Sequence, residues 1–174
     1  MGSHHQNEIV EHRIKELTLG SWTLLLHATI LWPEAVSTIM CPFSFKSACQ
    51  RYNSLEMDEN RKTPEKKFSG VDFQIFPADY HTWVCPVFII KSPPQGGPTG
   101  LPKWEPRVIT GVYIGHFPFH AGSVALVLNT RTGHVYPQYH MVFGDTFSTV
   151  EHMRKGRVPV NWKNLIEDHS ELAT

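Results

Sequence analysis

Residues 107–143 read RVITGVYIGHFPFHAGSVALVLNTRTGHVYPQYHMVF, and their pattern decides the fold. β-Branched and aromatic residues gather in three short runs, 107–115, 123–129 and 134–143, with no helical period between them. Residues 130–133 (TRTG) are a hairpin-length link between the last two runs. Upstream, residues 82–90 (TWVCPVFII) make a fourth strand candidate. The intervening residues 92–106 hold five prolines and three glycines and read as a loop. Short strands at close spacing, without crossover helices, predict a small antiparallel barrel. Alternation along the strands assigns Val87, Ile89, Val112, Ile114, Val124, Leu126, Leu128 and Val142 to its interior.

The first half has a different period. Val10, Ile14, Leu17, Ser21, Leu24 or Leu25, Ala28 and Leu31 recur at steps of three and four and mark one face of a helix. Asn7 suits its N-cap, and Glu8 and Glu11 in the first turn complement the helix dipole. Gly20 weakens the middle of this helix without forbidding it. Pro33 suits the first turn of a second helix carrying Val36, Ile39, Met40 and Phe43, which Pro42 kinks or restarts. Thr63-Pro64-Glu65 is the start of a short helix that Gly70 ends. The fold class is therefore α+β. Its expected parts are helices over 1–60, a linker with a short helix over 61–79, a barrel over 80–150 and a tail over 151–174. Within the tail, residues 162–172 read as amphipathic.

Composition narrows the function classes. Among 174 residues, 16 basic side chains balance 16 acidic ones, so no global field announces a nucleic-acid or membrane partner. No apolar run reaches the roughly 20 residues that span a bilayer, and no signal peptide opens the chain, so an intracellular location is expected. Three cysteines without C-x-x-C spacing predict neither a disulfide framework nor a zinc ribbon. The eleven histidines include His116 and His120 at i, i+4 spacing, and His134 and His140 on one face of a strand, but no metal site is assigned to them. Neither a G-x-S-x-G elbow nor a phosphate-binding glycine loop is present. Basic residues with aromatic neighbours are the remaining candidates: Lys66, Lys67, Lys103, Trp104, Arg107 and Arg131 are the expected nucleic-acid contacts, with Trp104 stacking on a base. Over residues 80–150, four basic side chains face two acidic ones, a surplus compatible with weak DNA binding.

Several segments together resemble the integrase region of copia-type retrotransposon Pol polyproteins. Residues 4–18 (HHQNEIVEHRIKELT) are similar to the end of the integrase core, where a His-His-Gln-Asn-Gly run precedes the last acid of a three-carboxylate active site. Residues 24–35 (LLLHATILWPEA), 62–70 (KTPEKKFSG) and 80–88 (YHTWVCPVF) are similar to the segments that follow it, in the same order. The strongest match is 101–149, LPKWEPRVITGVYIGHFPFHAGSVALVLNTRTGHVYPQYHMVFGDTFST, which looks like the SH3-like barrel behind the core. The resemblance implies an N-terminal helical remnant of an RNase H-like integrase core followed by a small antiparallel SH3-like β-barrel. It places Glu11 at the third catalytic carboxylate.

Strand transfer needs two divalent ions held about 3.5–4 Å apart, and one carboxylate does not build that site. In the family both aspartates lie upstream of the matched segment, so the chain is expected to be a catalytically incomplete, non-enzymatic fragment with Glu11 vestigial. No cofactor is expected for it, against Mg²⁺ or Mn²⁺ in the intact parent. The implied partners are DNA, bound weakly, and a second copy or other polyprotein segments on the exposed helical face, with no membrane. The chain departs from the family pattern at Glu8, where glycine is usual, and at His12, where Arg or Lys is usual. It departs again at Trp83-Val84, where Phe-Gly is expected, and at Gly144, where an acid is common; these are the marks of a truncated, drifting copy. Two other classes stay open: a stand-alone SH3-like protein-interaction module without a nucleic-acid role, and a histidine metalloprotein.

Overall fold

The structure, a computed structural model, describes residues 3–71, 79–90, 107–117 and 124–151, with side chains from residue 7 onward. Helix α1, Ser3–Leu31, runs for 29 residues. It starts four residues before Asn7, so Asn7 is not its cap and Glu8 and Glu11 lie beyond its first turn. No proline or glycine interrupts the segment between Gly2 and Gly20, and nothing local stops the helix from extending toward the terminus. The helix ends where Pro33 forces its predecessor out of the α region: Trp32 has φ −146° and ψ 72°. Two single 3₁₀ turns, Pro33–Ala35 and Thr38–Met40, replace the expected first half of the second helix. Pro42 then sits in the first turn of α2, Cys41–Leu55, and so restarts the helix. Helix α3, Pro64–Ser69, has the anticipated ends: the Thr63 side chain accepts from the Lys66 N–H, and Gly70 takes the left-handed conformation at φ 73°.

The five strands are β1 (Pro86–Ile90), β2 (Val108–His116), β3 (Ala125–Asn129), β4 (Val135–Gln138) and β5 (Met141–Phe143). They form one antiparallel sheet in the order β4-β3-β2-β1-β5. Strands β4 and β5 are its opposite edges, yet only Tyr139 and His140 separate them in the chain. Three Cα steps reach about 11 Å at most, whereas four flat inter-strand spacings measure about 19 Å. The sheet must therefore curl until its edges approach. The same turn overturns one assignment. Residues 134–143 are two strands rather than one, and Val142 faces outward, 65% exposed, while Met141 and Phe143 pack on the core. Pro137, which has no N–H to donate, is tolerated because β4 is an edge strand.

The other interior assignments hold. Val87, Val112, Ile114, Val124, Leu126 and Leu128 are buried, and Ile89 is partly so. Burial does not alternate in the central strands, however. All of Gly111–His116 and Ala125–Leu128 is buried, and α2 packs on β2 and covers its second face. One hydrophobic cluster joins Ala28, Trp32, Ala35, Met40 and Phe43 of the helical half to Trp83, Val87, Val112, Leu126 and Leu128 of the sheet half. Within this layer β2 and β3 approach too closely for a side chain at Gly111, where a Cβ would collide with Val127 and meet the Leu128 carbonyl at 3.0 Å. Gly111→Ala is expected to cost about 1–3 kcal/mol, the usual penalty of overpacking, measured by urea denaturation. A neutral result would mean that the β2–β3 register is wrong.

Candidate functional site

Helix α1 has two apolar faces. The first packs on α2: Gly20 faces Ala48, whose Cβ lies 3.6 Å from where a Gly20 Cβ would stand, and Ser21 and Ser44 share a buried 2.6 Å hydrogen bond. Val10 and Ile14 continue this face toward the N-terminus but are exposed. The second face carries Leu19, Trp22, Leu26 and Ile30, spaced three, four and four residues apart and 58–77% exposed. No Asp, Glu, Lys or Arg occurs between Leu17 and Trp32. The threonines beside this stripe turn their hydroxyls inward: Thr23 donates to the Leu19 carbonyl at 2.9 Å and Thr29 to that of Leu25 at 2.8 Å. Their polar atoms are thus satisfied within the helix. A helix that is apolar on opposite sides is normally covered on both.

A groove of about 570 Å³ separates α1 from α2, lined among others by Leu17, Gly20, Leu24, Arg13, Arg51 and Tyr52. Arg13 lies over the Tyr52 ring at 4.2 Å and pairs with Glu16. Arg51 donates to the His81 carbonyl at 2.7 Å and so ties α2 to the segment entering β1. There, Asp145 accepts from the Thr82 N–H at 2.6 Å and contacts His81 Nδ1 at 2.9 Å, while the His81 ring stacks on Phe143. Burial pushes the Asp145 carboxyl up, but the bonds from His81 and Thr82 outweigh it and hold its pKa below the ordinary value. Burial, and then the neighbouring Asp145 charge, push the Cys85 thiol well above its ordinary value. Cys85 is therefore a protonated, unreactive thiol at neutral pH. This constellation fastens the sheet to the helices.

The candidates named from sequence are scattered. Glu11 is exposed on α1. Among the described residues no three His, Cys, Asp or Glu side chains converge, so these residues do not fit a two-ion centre. Arg107 precedes β2 and Arg131 follows β3. The register Gly111↔Asn129, with Thr130 Oγ1 donating to the Thr110 carbonyl, brings both to one end of the sheet, where both are exposed. Lys66 and Lys67 sit instead on α3, which packs on α2. Lys67 Nζ is 2.9 Å from Asp58, whose pKa is lowered to about 2 by the Lys62 N–H first and Lys67 second. Lys103, Trp104 and His120 lie outside the described residues, as do residues 92–106 and 162–172. His134 and His140 do not share a strand face, since one precedes β4 and the other lies in the β4–β5 turn.

No family model matches this chain, and neither a curated protein nor a solved structure matches it. The resemblance to copia-type integrases rests on the chain's own motifs, and Val84 bears on it. In the family pattern this position is glycine. Here the buried, β-branched Val84 is held at φ 66°, in the left-handed region that glycine occupies freely. Such a residue stores about 1–3 kcal/mol of strain. Its N–H donates to the Tyr113 carbonyl at 2.8 Å, which keeps the turn in place. Sequence reading missed the Leu19–Ile30 stripe because the first apolar face already accounted for the helix. The uncharged run from Leu17 to Trp32 was the available signal. No local signal links His81 to Asp145, which are 64 residues apart.

Proposed function

We propose that this chain is the C-terminal portion of a retrotransposon integrase region: the helical end of an RNase H-like core, then an SH3-like barrel that contacts DNA. The second apolar face of α1 carries the reading. In the family the helix bearing the last carboxylate packs on the core's β-sheet, and Leu19, Trp22, Leu26 and Ile30 form the side such a sheet would cover. Two further features support it. The meander β1 to β4, with β5 returning to pair with β1, is the strand order of an SH3-like barrel. The glycine-type backbone at Val84 lies where the family pattern has glycine.

These 174 residues supply only the position of the third carboxylate, Glu11. DNA binding is the function this reading gives them, with the sheet end carrying Arg107 and Arg131 as the DNA-facing surface. Each phosphate contact releases counterions, so affinity for duplex DNA should fall with salt. Arg107→Ala/Arg131→Ala should reduce the log–log salt slope by about 2, read by fluorescence anisotropy at several salt concentrations. Salt-independent binding, or an unchanged slope in the double variant, would refute the DNA-facing assignment and favour a peptide-binding module. Metal-dependent joining of DNA ends that is lost in Glu11→Gln would refute catalytic incompleteness.

A further inference from the structure

We infer that β4 and its flanking turns form a stacking platform for an unpaired DNA strand. Tyr136 and Tyr139 meet bases, and Arg131 meets a phosphate. The inference rests on the DNA-binding reading of this part of the sheet and names the form of DNA it takes. Residues 107–143, which contain β2 to β5, hold Arg107, Arg131 and four histidines but no Asp or Glu. A polyanion laid along these strands therefore meets no carboxylate from them.

The rings are at the surface. Tyr136 is 43% and Tyr139 57% exposed. His134 precedes β4 and Tyr136 lies within it, with ring centroids 5.9 Å apart, and Tyr139 follows in the turn to β5. An exposed aromatic face accepts any base, because every base has a π-face of its own. The hairpin that carries Arg131 is fixed before a ligand arrives. Asn129 Oδ1 accepts from the Arg131 N–H at 3.0 Å and from the Thr132 N–H at 3.3 Å, and the His134 N–H donates to Thr132 Oγ1 at 3.3 Å. Little further ordering is therefore needed on binding. Pro137 separates stacking from strand addition. It has no N–H to give an incoming β-strand, so a peptide finds this edge interrupted, whereas a base needs only the rings. A duplex keeps its bases paired and stacked on one another, and does not spend them on the tyrosines.

Fluorescence anisotropy of the full chain tests it, with a labelled oligothymidylate about 12 nucleotides long and a duplex of equal length. Tyr136→Leu and Tyr139→Leu should each weaken oligothymidylate binding about 5–150-fold, the usual worth of one stacked base. Duplex affinity, far-UV circular dichroism and melting midpoint should not change, because both side chains are exposed. Either variant stands in if the other does not fold. Tyr136→Phe and Tyr139→Phe, which keep the ring, should retain binding. Phe68→Leu, at an exposed aromatic residue of α3, should bind as the unaltered chain does. Oligothymidylate binding that withstands both leucine substitutions overturns the inference, as does an equal effect on the duplex. Duplex binding with the arginine-dependent salt slope, but none to oligothymidylate, overturns the inference alone and leaves the DNA-facing assignment standing. Binding to neither overturns both.

Discussion

Trp83→Ala is expected to lower the stability of this protein by about 3–5 kcal/mol, the cost of emptying an aromatic site in a packed core. Trp83 is 1% exposed and belongs to the cluster that joins helices and sheet. Its indole Nε1–H also donates to the Ile114 carbonyl at 3.2 Å, so truncation removes a hydrogen bond as well as volume. Trp83→Phe keeps most of the packing and loses the donor. It should cost about 1–2 kcal/mol, the range for a lost bond to a buried carbonyl. Chemical denaturation of the two variants separates packing from hydrogen bonding. A neutral Trp83→Phe would show that the indole bond contributes nothing, and a neutral alanine variant would place Trp83 outside the core.

Met40→Ala should cost about 2–5 kcal/mol, and the manner of the loss is more informative than its size. Met40 is fully buried just before α2, far in sequence from the strands, yet it lies in the cluster that contains Val112, Leu126 and Leu128. If the helical half and the sheet share one core, the helix signal at 222 nm and tryptophan fluorescence should move together to the same lower midpoint. Loss of helix signal at a lower midpoint, with the sheet unaffected, would instead describe a barrel that folds independently of residues 1–60. If the two midpoints coincide, the division into a helical part and a sheet part is a matter of chain order and not of separate stability.

Features governed by near neighbours were legible before any tertiary contact was known. Thr63 and Gly70 bound α3 because a cap and a left-handed terminus depend on residues three or four positions away. Pro33 stops α1 and Pro42 restarts α2 through steric effects on adjacent residues. The existence of the strands followed from β-branched runs. The starting point of α1 did not follow, because Asn7 caps a helix only if the chain before it stops being helical, and nothing before it enforces that.

The candidate surface was half legible. The packed face of α1 is written in its three-and-four spacing, and Arg107 and Arg131 stood out as basic residues beside strands. That these two share one end of the sheet depended on the β2–β3 register, which local pattern does not encode. Val142 was misplaced for the same reason: one turn at Tyr139 and His140 changes which side chains face inward.

The sequence by itself determined an α+β chain, the helix stops at Pro33 and Gly70, and most of the apolar interior of the sheet. These follow from steric and hydrogen-bonding effects that act within a few residues. Only the tertiary structure decided that α2 buries the second face of β2, that His81 meets Asp145, and that Leu19, Trp22, Leu26 and Ile30 remain exposed. Burial is a property of what stands opposite, and a residue's own pattern records its preference for cover without recording whether cover is there.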